Sequence, residues 1–215
     1  MPPDRPLPRT AGRIQDHRLL LADAHRARLR ARVPEGGWFE TAFDDLLQAL
    51  LPGGDGVLRI RLDVEGRQLW AHREPLPATP DPYRLLVRPH PLPRAEAPRI
   101  KGLDGAWSAP VLAEVRALGA ADALLCWPDG TVAETAIAAV ALEAGADLWC
   151  PPLAGRVASL AEQHLLPGWA RDRGLRIREG VLRPELLPGG RLWCLNAVRG
   201  VWPAEAMDLT PVGSG

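Results

Sequence analysis

The run PLPRAEAPRI, residues 91–100, packs three prolines into ten residues. Proline fixes φ and removes a backbone donor, so such a run belongs neither inside a helix nor in a central strand, and it stiffens the connection it makes. It therefore predicts a division of the chain: a small α+β domain over 1–90, a linker over 91–101, and a larger α+β domain over 102–215. A chain of 215 residues can form two compact units, and its 47% hydrophobic content is enough to give each a core.

Within the first part, RLLLADAHRARLRARV has leucine and alanine at helical spacing, and WFETAFDDLLQALL predicts an amphipathic helix stopped by PGGDG. VLRIRLDV and RQLWAHREP alternate with period two around EG, a hairpin pattern, and YRLLVRPH predicts a further strand. In the second part, SAPVLAEVRALGA predicts a helix. DALLCW and TVAETAIAAVALEA predict strands around the turn PDG, and DLWCPP, LRIREGVL and RLWCLNAV predict strands too. ASLAEQHLLPGWARDRG is helical in pattern, but Pro167-Gly168 should kink or split it. Mixed element order of this kind argues α+β rather than a doubly wound sheet.

Charge and cysteine usage narrow the class. Lys+Arg equals Asp+Glu, so no bulk charge draws in nucleic acid or an anionic membrane, and HRARLRAR reads as the solvated face of a helix. Cys126, Cys150 and Cys194 are far apart and outside any CxxC or Cys/His cluster, which argues against a disulfide framework or a metal site and for a reducing cytoplasm. No apolar run reaches 18 residues without a charge or a helix breaker, so no membrane span is expected. The five histidines are scattered and read as structural or exposed, and none of the common phosphate, metalloprotease or serine-hydrolase motifs occurs.

Chemistry then rests on few residues. Almost all of the 26 basic side chains are arginine, yet Lys101 stands at the end of the linker. A lysine whose pKa is lowered can act as a nucleophile toward carbonyl carbon. An acid such as Glu134 can hold a pyridine nitrogen protonated, and the small-residue loops PPLAGRVAS and LNAVRGVWP can offer backbone N–H groups to a phosphate. By spacing alone these are a lysine, a glutamate and two loops, which any chain of this size has.

The order of these segments resembles a known family. IKGLDG resembles the Lys-x-Leu-Asn segment of the fold-type IV pyridoxal-phosphate enzymes. ADALLCWPDGTVAET resembles their strand–turn–strand, LWCPPL their Thr-Pro-Pro-Leu run, LNAVRGVWPAEAMD their Asn-Ser-Leu-Arg-Gly run, and LLLADAHRARL their His-x-x-Arg-Leu helix. The resemblance implies a two-domain, D-amino acid aminotransferase-like fold with a barrel-like second domain and a shortened first one, since the chain starts after the family's opening hairpin.

The resemblance also implies roles. Lys101 matches the lysine that binds pyridoxal 5'-phosphate (PLP) and shuttles the proton at the substrate Cα. Glu134 matches the acid facing the ring nitrogen, and Arg28 an arginine on the cofactor phosphate. Ser159, Leu160 and Ala161 occupy the phosphate-binding turn, and Asn196 and Ala197 the second phosphate-side loop. Thr10, after a one-residue shift, matches a threonine that the family's lyases place near the substrate. Three positions depart from the pattern: Glu162 stands where an arginine is expected and should repel phosphate, Ala139 replaces an asparagine, and the tyrosine that aminotransferases place after the lysine is missing. The expected activity is that of 4-amino-4-deoxychorismate lyase, in a cytoplasmic homodimer acting on a small molecule. An aminotransferase of the same fold, or a member that has lost catalysis and serves as a binding protein, are the alternatives.

Overall fold

A computed structural model describes residues 7–34, 37–94 and 107–207. Lys101 and most of the expected linker lie outside the described residues. The chain forms two compact units, one running to Ala78 and the other starting at Thr79.

The first unit is a four-stranded antiparallel sheet with two helices. Its strands are β1 (Arg9–Gln15), β2 (Arg18–Leu19), β3 (Gly56–Asp63) and β4 (Gln68–Glu74), in the order β2-β1-β3-β4. Asp16 and His17 both take positive φ, which matches the right-handed twist of a two-residue hairpin between β1 and β2. The first helix, α1 (Ala22–Arg30), starts later than its leucine pattern suggests, because Arg18 and Leu19 are spent on β2. Asp23 in its first turn and Arg28 and Arg30 in its last complement the helix dipole. Helix α2 (Trp38–Leu50) buries Phe39 and Phe43 against Ile14, Leu58, Ile60 and Leu62, the inward residues of the sheet.

The second unit is an eight-stranded mixed sheet. In chain order its elements are β5 (Arg84–Pro89), α3 (Ser108–Ala117), β6 (Asp122–Cys126), β7 (Val132–Thr135), β8 (Ala139–Ala144), β9 (Asp147–Cys150), α4 (Leu160–His164), α5 (Leu166–Arg171), β10 (Arg176–Glu179), β11 (Arg191–Asn196) and β12 (Gly200–Met207). The strand order is β10-β9-β8-β11-β12-β5-β6-β7. Strand β5, expected in the first domain, instead pairs in parallel with β12 and β6. The proline run follows that strand, so it cannot mark where the first unit's sheet ends.

Edge strand β7 runs through a short turn into β8, which lies five places along the sheet, so the sheet must curl to bring them together. Alternation gives it two faces. Leu85, Leu124, Val140, Cys194 and Trp202 fill the inner one. On the outer face Ala139, Ala141, Cys150 and Leu195 pack against Ala161, Leu166 and Ala170 of the α4–α5 pair, and Leu86, Ala123 and Leu125 pack against Val115 of α3. The helix expected around Pro167-Gly168 splits into α4 and α5 at Leu165. Pro167 then stands in the first turn of α5, where its missing N–H costs no hydrogen bond. All three cysteines are buried and free.

Candidate active site

Three chain segments of the second unit meet at one end of its sheet. Strand β8 runs antiparallel to both β9 and β11, with Leu142 opposite Trp149 and Ala139 opposite Leu195. The start of β8 therefore lies beside the ends of β9 and β11, and with it the turn that follows Glu134.

Glu134 is half-buried on β7. A register shift between Leu125 and Cys126 sets it opposite Leu125, on the outer face, rather than among the core residues Leu124 and Cys126. The turn after it is tied down heavily. Thr135 N–H donates to the Ala138 carbonyl at 2.8 Å, and Thr135 Oγ1 accepts from Ala138 N–H at 2.8 Å. Asp122, fully buried, accepts from Ala136 N–H at 3.1 Å and from the Tyr83 hydroxyl at 3.3 Å. Burial pushes the Asp122 carboxyl up to about 6, and the hydrogen bonds it accepts offset only part of this.

Asn196 organises the second segment. Its Oδ1 accepts from Val198 N–H at 3.0 Å and Arg199 N–H at 2.8 Å, and its Nδ2 donates to the Ile137 carbonyl at 3.3 Å. The carboxamide thus shapes the turn through Ala197 and fastens it to the turn after Glu134.

The third segment leaves β9 as Pro151–Pro152 and enters α4. Ser159 is the N-cap of α4 and its Oγ accepts from Glu162 N–H at 3.4 Å, which leaves its hydroxyl proton to donate elsewhere. Leu160 and Ala161 are buried in the first turn of α4. Glu162 does not stand there as a bare negative charge. Arg156 meets both of its oxygens, Nη1 to Oε2 and Nη2 to Oε1, each at 2.7 Å. This pair offsets the charge of Glu162, and its arginine comes from six residues upstream. Arg156 also donates to the Pro152 carbonyl from Nε at 3.1 Å and to the Pro151 carbonyl from Nη2 at 2.5 Å. Its side chain is 1% exposed.

The first unit holds the other two expected residues. Thr10 on β1 is 2% exposed, and its Oγ1 lies 2.6 Å from Nδ1 of the fully buried His25 of α1. Gly12 makes room for that imidazole, since a Cβ there would sit 2.4 Å from His25 Nε2. Arg28 is half-buried, and desolvation lowers its guanidinium to about 10, so it is still charged at neutral pH. On the same helix Arg26 pairs with Glu40 and Asp44, and Arg30 with Glu40. Sequence reasoning missed Arg156, Asp122 and the role of His25. The one signal for Arg156 was the unexpected acid at 162.

The family model described as Amino-transferase class IV matches residues 10–207. Solved structures share the fold. A hypothetical aminotransferase from Mycobacterium tuberculosis in its PLP-bound form is 20% identical, with 97% of this chain and 83% of that one covered and a TM-score of 0.79. The 4-amino-4-deoxychorismate lyase from Pseudomonas aeruginosa is 21% identical over 98% and 86% of the two chains, with a TM-score of 0.75. A fold IV-transaminase from Curtobacterium pusillum is 18% identical over 97% and 81%, with a TM-score of 0.76. No curated protein matches the chain. PLP is the cofactor that goes with this family and with the PLP-bound relative. The groups assembled here suit it: a half-buried carboxylate for a ring nitrogen, and two tightly held turns with small residues for a phosphate.

Proposed function

Since the chain belongs to the class IV amino-transferase family and takes PLP as its cofactor, we propose that it is a lyase converting 4-amino-4-deoxychorismate to 4-aminobenzoate and pyruvate. One observation carries the catalytic reading. Lys101 is the only lysine in a chain whose 25 other Lys-or-Arg positions are all arginine, and its segment IKGLDG resembles the one in which the family carries its cofactor lysine. Arginine cannot take over that role, because its guanidinium is never deprotonated in proteins.

In this reading Lys101 holds the cofactor and then carries the proton at the substrate Cα. PLP, when bound, withdraws electrons from the bonds at that carbon. Glu134 keeps a proton on the ring nitrogen. Arg28, the Ser159 hydroxyl and backbone N–H groups near Leu160, Ala161 and Ala197 receive the phosphate, whose charge needs several donors because each helix-end amide contributes only about 0.3–1 kcal/mol at exposed sites. Thr10, whose hydroxyl meets His25, matches after a one-residue shift the threonine that the family's lyases place near the substrate. Loss of pyruvate leaves an aromatic ring, which drives the reaction forward.

What favours the lyase is the sequence of the NAVRG segment, which looks more like the family's lyases than its aminotransferases. The competing reading is an aminotransferase, supported by the likeness to the M. tuberculosis and C. pusillum proteins. The purified protein, loaded with PLP, separates the two. Pyruvate released from 4-amino-4-deoxychorismate without any keto acid supports the lyase. Amino transfer to 2-oxoglutarate, with no pyruvate from the chorismate derivative, replaces it with the aminotransferase. We further propose a homodimer, with the first domain ending ahead of β5, near Ala78, rather than at the proline run.

A further inference from the structure

The Arg156–Glu162 pair does more than cancel a charge. A buried ion pair loses much of its Coulombic gain to desolvation, so stability alone is a weak reason for one. This one is unusually complete: four donor contacts from one guanidinium, two to a single carboxylate and two to the carbonyls of Pro151 and Pro152. A fork held in that way cannot swing. Its place is also specific. Extending the β8–β9 register past Cys150 sets Pro151 opposite Val140, so the Pro151–Pro152 run lies beside the start of β8, where the turn after Glu134 ends. Glu134 and the packing partners of α4 share the outer face of the sheet. Burial lowers the Arg156 pKa, but the bonds and charge of Glu162, joined by the charge of Glu134, raise it overall.

We propose that Arg156, clamped by Glu162, is a positioning residue for Glu134, holding that carboxylate in place to meet the ring nitrogen of PLP. The charges explain the arrangement. Glu134, Glu162 and Arg156 together carry one net negative charge. Arg156 satisfies Glu162, which leaves Glu134 to balance a protonated ring nitrogen, and the pair acts on Glu134 by holding its surroundings fixed. Arg156 would thereby bring a cation to the turn where the resemblance leads one to expect an arginine at 162. The proposal rests on the reading of Glu134 as the acid facing the ring.

A double-mutant cycle on the apoprotein tests it, with PLP affinity read from cofactor absorbance and folding from circular dichroism. Arg156→Met/Glu162→Met replaces the pair by apolar groups of similar size, a change that such pairs often tolerate. It should weaken PLP binding roughly tenfold with Glu134 present and less than about twofold in a Glu134→Gln background. Equal losses in both backgrounds mean a merely structural pair and overturn the proposal. If Glu134→Gln alone leaves PLP affinity unchanged, the reading of Glu134 fails first and the proposal with it. Should the double variant not fold, Arg156→Lys carries the same cycle. It keeps the charge, so affinity within about threefold of wild type supports the proposal, and a full loss with unchanged melting overturns it.

Discussion

Thr10 Oγ1 and His25 Nδ1 lie 2.6 Å apart in the interior of the first unit, fifteen residues apart in sequence. A hydroxyl has one proton and two lone pairs. If His25 donates from Nδ1, the Thr10 proton is left to reach a substrate, and the imidazole fixes its direction. His25→Leu should therefore lower kcat about tenfold or more while Thr10→Ser keeps most of it. Thr10→Val, which strands a buried ring nitrogen, should cost about 1–3 kcal/mol in urea unfolding. Full activity in Thr10→Val would remove Thr10 from the chemistry.

Asp122 gives the fold a pH dependence. Burial raises its carboxyl from the usual 3.8 to about 6, so the folded state binds the proton more tightly than the unfolded chain does. The associated stability is complete at low pH and is lost as pH rises through about 6. Asp122→Asn cannot ionise but keeps an acceptor for Ala136 N–H. The difference in unfolding free energy between the two proteins should move by about 2–3 kcal/mol in the variant's favour from about pH 4 to about pH 7. Urea midpoints at several pH values measure this, and a constant difference would mean that the Asp122 carboxyl binds its proton equally well in the folded and unfolded chain.

Arg28 separates from its neighbours on α1 by desolvation. Arg28→Ala should weaken PLP binding by more than about tenfold, and Arg26→Ala or Arg30→Ala by less than about twofold. The ion pairs of Arg26 and Arg30 are partly exposed, so their loss should cost only about 0.2–1 kcal/mol of stability. Parallel cofactor titrations of the three variants decide it, and three equal losses would place Arg28 among the structural arginines.

Lys101 offers a test with a single permitted answer. Borohydride reduction of the PLP-loaded protein, followed by peptide mapping, should place the label on the peptide holding Lys101. No other lysine can take it. A label confined to the N-terminal amine, or none, would end the assignment.

How much of this could be read from the chain depended on what each signal measures. The hairpin of β3 and β4 was plain, because period-two alternation reports one buried face. Strand β12 was not, because Pro203 sits within it, opposite Trp193. The structure accepts that proline because pairing of β12 with β5 begins only at Glu205, leaving one edge free at residue 203. Strand β5 looked like part of the first domain because a proline run marks a stiff stretch, not the sheet a preceding strand will join. Ser159 stands at the helix start where the resemblance put it, whereas Arg156 was hidden. In the sequence the buried pair shows only as an acid in an unexpected place, and its partner emerges when the loop folds back on α4.

The buried cysteines also turn the protein into its own unfolding clock. Desolvation pushes the Cys126 and Cys150 thiols up to about 12 and raises Cys194 as well, so almost no thiolate exists in the folded chain at neutral pH. An alkylating reagent can then react only when the sheet opens. Cys126, Cys150 and Cys194 lie on three different strands, β6, β9 and β11. The order in which they are labelled would report which part of the second unit opens first, and equal rates would mean that it opens as one piece.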